Sequence, residues 1–216
     1  MVAVLAELPP GGGRVIHEFK PAYDAWRARG DEAAHAVDGR YAAAIVCLPR
    51  AKNEARALIA QACAASDGPV VIDGQKTDGA DSILKEMRAR VTVQGPIAKA
   101  HGKLYWIDAT AADFFPDWEA GPAVTEGGFW TAPGVFSADG VDLASALLVD
   151  VLPENLGREV ADLGAGWGFL PAHVLTRPKV CLVYPSAAAE QRPRGKPRGA
   201  GKNTKKDKEE QNGPER

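Results

Sequence analysis

Short apolar runs alternate with amphipathic stretches between residues 41 and 106. The apolar runs at 43–48 and 70–72 predict buried strands, and Pro49 ends the first of them. Helical spacing follows each strand, at Ala55, Leu58, Ile59, Ala62 and Cys63 and then at Ile83, Leu84, Met87 and Val91. Further strands are predicted near 91–93 and 103–107. This order is typical of an α/β sheet with parallel strands.

A second pattern of strand and helix begins after a segment rich in Pro, Gly, Asp and aromatic residues between Asp113 and Gly128. A helix is predicted from near Asp142, with Leu143, Leu147, Leu148 and Val151 on one face. A strand at 159–163, a helix at 169–175 and a strand at 180–183 follow. We therefore predict three regions: an N-terminal domain at 1–122, a second domain at 123–184 and a polar tail at 185–216.

Composition narrows the class of protein. The chain has 216 residues, of which 45% are hydrophobic and 25% charged, so it can bury a core. No apolar stretch approaches the roughly 20 residues of a membrane helix, and the N-terminal apolar run is too short for a signal peptide. The three cysteines and four histidines have no metal-ligand spacing. We expect a cytoplasmic protein without a metal site.

The two ends of the chain have a different character. Residues 190–216 contain nine Lys or Arg, five Asp or Glu and no large apolar residue, which predicts a disordered basic tail. The alternative is an electrostatic arm for phosphate backbones. At the other end, the Pro- and Gly-rich stretch 9–13 is expected to leave little room for an initial strand and helix.

A glycine-rich turn is the most specific chemical signal. Asp162 ends a predicted strand, and Gly164, Gly166 and Gly168 follow it before a predicted helix. Glycines at such a turn allow a ligand to approach the backbone, and the helix N-terminus faces that ligand. A dinucleotide fingerprint would need Gly or Ala where Phe169 stands, which disfavours a dehydrogenase, and no P-loop occurs.

Two motifs resemble one enzyme family. The pattern Asp-x-Gly-x-Gly-x-Gly at 162–168 resembles motif I of class I S-adenosylmethionine-dependent methyltransferases. The segment TAPGVFSADGVD at 131–142, followed by Ser145, resembles the PGVFSxDGxDxGSxLL signature of RsmC-like small-subunit ribosomal RNA guanine-N2 methyltransferases, with Ala144 in place of Gly. The first half is also similar to that family, at LPRAKNEA (48–55) and GKLYW (102–106).

The resemblance implies tandem Rossmann-like methyltransferase domains, of which the first is non-catalytic and the second binds S-adenosylmethionine. It also implies ribosomal RNA as partner, no membrane association and, as the favoured state, a monomer. The apolar residues Leu143, Leu147 and Leu148 are expected in the core. The cofactor-binding residues that it implies are Phe136, Ser137, Asp142, Ser145, Asp162, Gly164, Ala165, Gly166, Trp167 and Gly168.

The sequence also departs from the family. The Asn-Pro-Pro-Phe motif that holds the target amine in the family does not occur, so the catalytic residues are unknown. The family's ribose-binding carboxylate would fall at or near Tyr184, where Tyr-Pro-Ser offers none. The second domain is therefore expected to be incomplete, and loss of activity is one consequence that these departures leave open. The alternative function is that of a non-catalytic remnant, which binds RNA or has no activity.

A truncated or frame-shifted coding sequence would explain these departures together with the change to polar sequence after Pro178. We expect one of the other two frames downstream of Arg177 to encode a strand that ends in a carboxylate and an Asn-Pro-Pro-aromatic motif. Sequencing and translating the coding DNA tests this expectation, and it is wrong if neither frame encodes them.

Overall fold

The computed structural model describes residues 13–108, 115–125 and 127–186, and it has a mixed α/β architecture. It opens with a small unit that the sequence analysis did not expect. This unit consists of strand β1 (Arg14–Ile16), helix α1 (Lys20–Ala28) and strand β2 (Glu32–Ala34), with β1 and β2 paired in parallel. The expectation of little room for an initial strand and helix was wrong, because three-residue strands are enough to form this unit.

The main sheet has four strands in the order β3-β4-β6-β5. Its elements are β3 (Ala44–Cys47), α2 (Lys52–Ala65), β4 (Val70–Gln75), α3 (Ala80–Arg88), β5 (Gln94–Lys99) and β6 (Gly102–Ile107). Each predicted helix is present. The strand predicted near 91–93 instead begins at Gln94, because Val91 still bonds to the Met87 carbonyl at the end of α3.

The prediction of parallel strands was correct for only one pair of this sheet. Strands β3 and β4 are parallel, whereas β6 is antiparallel to both β4 and β5. The connection explains the difference. Ala100 and His101, both with positive φ, form a two-residue turn between β5 and β6, and a parallel pair would need a crossover of a dozen or more residues.

Helices α2 and α3 pack on this sheet and enclose the core. Each helix contributes one apolar face, as the spacing of its residues predicts. The fully buried side chains include Val46, Ile59, Val70, Ile72, Ile83, Met87, Tyr105 and Ile107. Phe115 and Trp118 also join this core, from a short 3-10 turn at Pro116–Trp118. The N-terminal part of the chain therefore has a closed hydrophobic core of its own.

The second part contains β7 (Ala123–Val124), β8 (Trp130–Thr131), α4 (Leu143–Val151), β9 (Glu159–Leu163), α5 (Phe169–Val174) and β10 (Leu182–Ser186). Strands β9 and β10 are parallel neighbours joined through α5, which makes a β-α-β unit. Strand β10 starts and ends later than the predicted 180–183. Tyr184 consequently lies within the strand, opposite Ala161, and not at its end.

The apolar face of α4 is exposed, contrary to the prediction of core positions there. The exposed fractions are 81% for Leu143, 65% for Leu147 and 42% for Leu148. Among the described residues, β9 pairs only with β10, so no larger sheet covers the helix. Trp130 in β8 is likewise 70% exposed.

Two predictions fall on residues outside the described ranges. The first is the disordered basic tail beyond Ser186, and the second is the start of the predicted domain boundary at Asp113. Within the described ranges, no helix is both long and apolar enough to cross a lipid bilayer.

Because the apolar face of α4 is exposed, a substitution there should change the free energy of unfolding less than a substitution in the N-terminal core. Leu147→Gln should change the free energy of unfolding by no more than about 0.5 kcal/mol, since the side chain is already in water. Ile59→Ala in the closed core should cost about 2–5 kcal/mol. Urea denaturation of both variants measures the difference. A loss of more than about 2 kcal/mol for Leu147→Gln would contradict the exposure of this face.

Candidate functional site

The glycine turn joins β9 to α5. Gly164, Gly166 and Gly168 have φ values of 96°, 54° and 96°, in the left-handed region that glycine occupies without strain. A Cβ atom added at Gly166 or Gly168 would meet no heavy atom within 4 Å. The backbone at Gly166 and Gly168 is therefore accessible, and glycine is required at these two positions by the conformation of the turn and not by crowding.

The signature segment 131–142 forms a loop that lies against the N-terminal part. Gly134 has a φ of 92° and packs on the side chain of Glu54 in α2, where a Cβ atom would collide with the carboxylate. Burial, and the nearby charge of Glu18, raise the pKa of Glu54 above its usual value. The Pro-Gly pair of the signature thus allows a close contact between the loop and α2.

The same loop is bonded to the glycine turn. The Trp167 indole N–H donates to the Ser137 carbonyl at 3.3 Å. Ser137 has a φ of 54°, and its hydroxyl donates to the Gly140 carbonyl at 2.7 Å, which holds this conformation. The rings of Phe129 and Trp167 also pack together, with centroids 4.9 Å apart. Ser137 and Trp167, both predicted site residues, are therefore neighbours.

Asp142 and Ser145, which are predicted to bind the cofactor, also form the N-cap of α4. Asp142 is the N-cap of α4, and its carboxylate accepts the Ser145 N–H at 2.9 Å and the Ser145 hydroxyl at 3.1 Å. This cap fixes where α4 begins. It also orients both side chains beside the loop.

Eight of the ten predicted cofactor residues line one cleft. They are Phe136, Ser137, Asp142, Ser145, Gly164, Ala165, Gly166 and Trp167. Phe169 and Leu170 complete the lining, and the sequence analysis assigned neither to the site. The cleft measures about 60 Å³, whereas enclosed ligand pockets measure roughly 300–1,000 Å³. It is one wall of a binding site and not a closed pocket.

The other two predicted residues, Asp162 and Gly168, flank the cleft in sequence without lining it. Gly168 is the residue before α5. Asp162 lies on β9, and its Oδ2 atom is buried with no hydrogen-bond partner. A buried carboxylate oxygen without a donor is costly, so this position is suited to a ligand that brings one.

A larger cleft of about 490 Å³ adjoins the first, and Ser137 lines both. Its other walls are the start of α2, the 3-10 turn that contains Trp118, and the loop from Thr131 to Asp139. The sequence analysis did not single out Thr131 or Trp118 as site residues. Within the described ranges, no cluster of three or more His, Cys, Asp or Glu residues could hold a metal ion.

Comparisons with known proteins identify relatives of this chain. Residues 126–189 match the family model described as "Methyltransferase small domain". The chain is 35% identical over 135 residues to "Ribosomal RNA small subunit methyltransferase C" of Vibrio cholerae, and 30% identical over 186 residues to the protein of that name from Pseudomonas paraeruginosa. The chain thus resembles these RsmC proteins over the matched residues.

A solved structure supports the same assignment for the fold. The chain superimposes on the Thermus thermophilus 16S rRNA N2 G1207 methyltransferase (RsmC), in complex with AdoMet and guanosine, with a TM-score of 0.60 and 27% identity. The match covers 80% of this chain and 52% of that one. This confirms the predicted family resemblance and a methyltransferase-like α/β fold.

The chain spans only part of the length of the relatives that it matches. The match with the Vibrio cholerae protein covers 56% of this chain and 38% of that protein. The match with the Pseudomonas paraeruginosa protein covers 81% of this chain and 55% of that protein.

The buried position of Glu54 predicts a pH-dependent effect of its substitution. A carboxyl group whose pKa is raised by folding destabilises the folded state when it is ionised. This destabilisation is complete at pH values above the pKa in the folded state, and it is absent at pH values below the pKa in the unfolded state. The stability of Glu54→Gln relative to the unmodified chain should therefore increase between pH 4 and pH 7. Thermal unfolding of both at each pH measures it. A difference that is constant or reversed would contradict the burial of this group.

Proposed function

We propose that the chain is an S-adenosylmethionine-dependent methyltransferase that modifies guanine N2 in small-subunit ribosomal RNA. One observation carries the proposal: the signature loop and the glycine turn, 30 residues apart, are bonded through Ser137 and Trp167 and line a single cleft. The substrate is inferred from the printed names of the Vibrio cholerae and Thermus thermophilus relatives. The proposal also includes tandem methyltransferase-like domains, a disordered basic tail and a cytoplasmic location.

The residues present fit the methionine end of the cofactor. The Asp162 carboxylate has a buried oxygen without a donor, and the cofactor's ammonium group would supply one. The glycine backbone at 164–168 is open enough for close approach. Phe136 and Trp167 would then form apolar walls beside the sulfonium region, where excluding water favours displacement.

The chemistry assigned to this chain is positioning. The bound cofactor supplies a methyl group on a sulfonium, which is already a good leaving group. The protein's part is to hold the loop and the turn at a fixed separation, so that the guanine amine meets the methyl group in line. Asp142 and Ser145 fix the loop at its far end through the N-cap of α4. No described residue is assigned as an acid or base.

A second candidate is RNA binding without methyl transfer. The absence of an Asn-Pro-Pro-Phe motif from the sequence and the exposure of α4 favour it. Strand β10 also contains no carboxylate that could bind the ribose of the cofactor. Under this hypothesis the cleft at the glycine turn is retained from a methyltransferase ancestor, and the chain does not transfer methyl groups.

Calorimetric titration with S-adenosylmethionine separates the two candidates. We expect saturable binding by the unmodified chain and at least a tenfold weaker affinity for Gly166→Asp, whose side chain would extend from the wall of the cleft. Gly157→Asp is the matched control. It also replaces a glycine of positive φ whose Cβ meets nothing within 4 Å, but it lies outside the residues that line the cleft.

Each result has a defined meaning. Binding that Gly166→Asp abolishes and Gly157→Asp keeps would support the cofactor site, and methylation of ribosomal RNA would be the next assay. No binding by a cooperatively folded chain would favour the second candidate. Equal affinity in all three proteins would exclude this cleft as the site.

A further inference from the structure

The larger cleft, lined by α2 and the signature loop, contains two buried polar atoms without partners. Trp118 is 2% exposed and Thr131 is 9% exposed, and both residues line the cleft. Neither the Trp118 indole nitrogen nor the Thr131 hydroxyl oxygen has a hydrogen-bond partner. A buried polar group left unpaired costs roughly 1–3 kcal/mol, so two in one cleft indicate that a ligand completes them.

The start of α2 supplies further donors to the same cleft. Ala51 is the N-cap, and it cannot cap the helix with a side chain. The first N–H groups of this 14-residue helix therefore have no partner from a cap, and the helix dipole places partial positive charge there. Ala51, Lys52 and Asn53 all line the cleft.

Neighbouring side chains pack around the Trp118 ring, and its indole nitrogen is buried without a partner. Its ring lies 4.6 Å from the Phe115 ring, and the guanidinium groups of Arg56 and Arg90 lie 5.8 Å and 5.2 Å from its centroid. The faces of the indole are therefore covered, which excludes base stacking on this residue. Its N–H can still donate a hydrogen bond.

Charges around the cleft are of both signs. Lys52 and Arg56 both form ion pairs with Glu86, which leaves one positive charge in excess among these three side chains. Asp117 is neutralised by Arg90 through a paired contact. Asp139 also lines the cleft. The charged side chains around the cleft are therefore balanced, and the unpartnered groups near α2 are donors among paired charges.

We propose that this cleft binds a backbone phosphate of the RNA strand. A phosphodiester offers only acceptor oxygens, which match the Trp118 N–H, the Thr131 hydroxyl, the Lys52 ammonium and the N-terminal N–H groups of α2. The proposal rests on the proposed function for the identity of the strand. Because Ser137 lines both clefts, the phosphate would belong to a nucleotide close to the guanine that is modified. The segment LPRAKNEA then has a binding role.

Thr131→Val gives the sharpest test, since it removes only the hydroxyl. The full chain is titrated with a fluorescein-labelled 12-nucleotide single-stranded RNA that contains guanine, and fluorescence anisotropy is measured. We expect the affinity to fall five- to twentyfold, while the thermal midpoint stays equal or rises because an unpaired buried group is lost. Thr131→Ser keeps the hydroxyl and should bind within twofold of the unmodified chain.

A charge test addresses the phosphate directly. Lys52→Gln should weaken RNA binding and lower the slope of log affinity against log salt by about one. Lys20→Gln is the matched control, since Lys20 is exposed on α1, pairs with Asp24 and is not among the residues that line the cleft. It should leave the slope unchanged. An RNA with neutral methylphosphonate linkages should bind weakly. Its affinity for the Thr131→Val variant should equal its affinity for the unmodified chain.

Some results would overturn the phosphate site. RNA affinity that Thr131→Val leaves unchanged would do so, as would an equal loss for Lys20→Gln and Lys52→Gln. Titration of the same variants with S-adenosylmethionine keeps this test separate from the proposed function. Lost RNA binding with no cofactor binding in any protein would support the phosphate site while the methyltransferase proposal fails. Cofactor binding together with an RNA affinity that Thr131→Val leaves unchanged would support the methyltransferase proposal, and the phosphate site would then be wrong.

Discussion

The hydrogen bond from the Trp167 indole to the Ser137 carbonyl is the contact on which the site depends. It joins the signature loop to the glycine turn, and the smaller cleft lies between these two segments. The loop is in turn packed on α2 through Gly134 and Glu54. One chain of contacts therefore links the N-terminal core to the glycine turn. Loss of the central bond would leave both segments intact and the cleft undefined.

The two parts of the molecule are stabilised in different ways. In the N-terminal part, two helices cover a four-stranded sheet, and burial of side chains such as Ile59, Ile72 and Met87 supplies the favourable energy. In the second part, the described residues that are buried are Thr131, Pro171 and Val174. Its geometry is maintained by local features: an N-cap, a β-α-β register and residues of positive φ. Such features determine the local conformation more than they contribute to the stability of the fold.

The sequence predicted those features that depend on local chemistry. The glycine turn, the start of α4 at Asp142 and the helices α2 and α3 follow from residue type and spacing. The direction of β6 and the exposure of Leu147 did not follow, because both depend on which elements are neighbours in space. Periodicity identifies an apolar face but cannot supply the surface that covers it. The unpaired atoms of Trp118 and Thr131 likewise become visible only in three dimensions.

The pairing of β9 with β10 alone has a consequence for handling the protein in solution. Within the described ranges, the outer edge of each strand presents a row of backbone N–H and C=O groups that no neighbouring strand satisfies. A strand from any chain can extend such a sheet, and extension by identical chains does not terminate by itself. Association through these edges depends on the backbone as much as on surface charge, and the fraction of chains that associate rises with protein concentration.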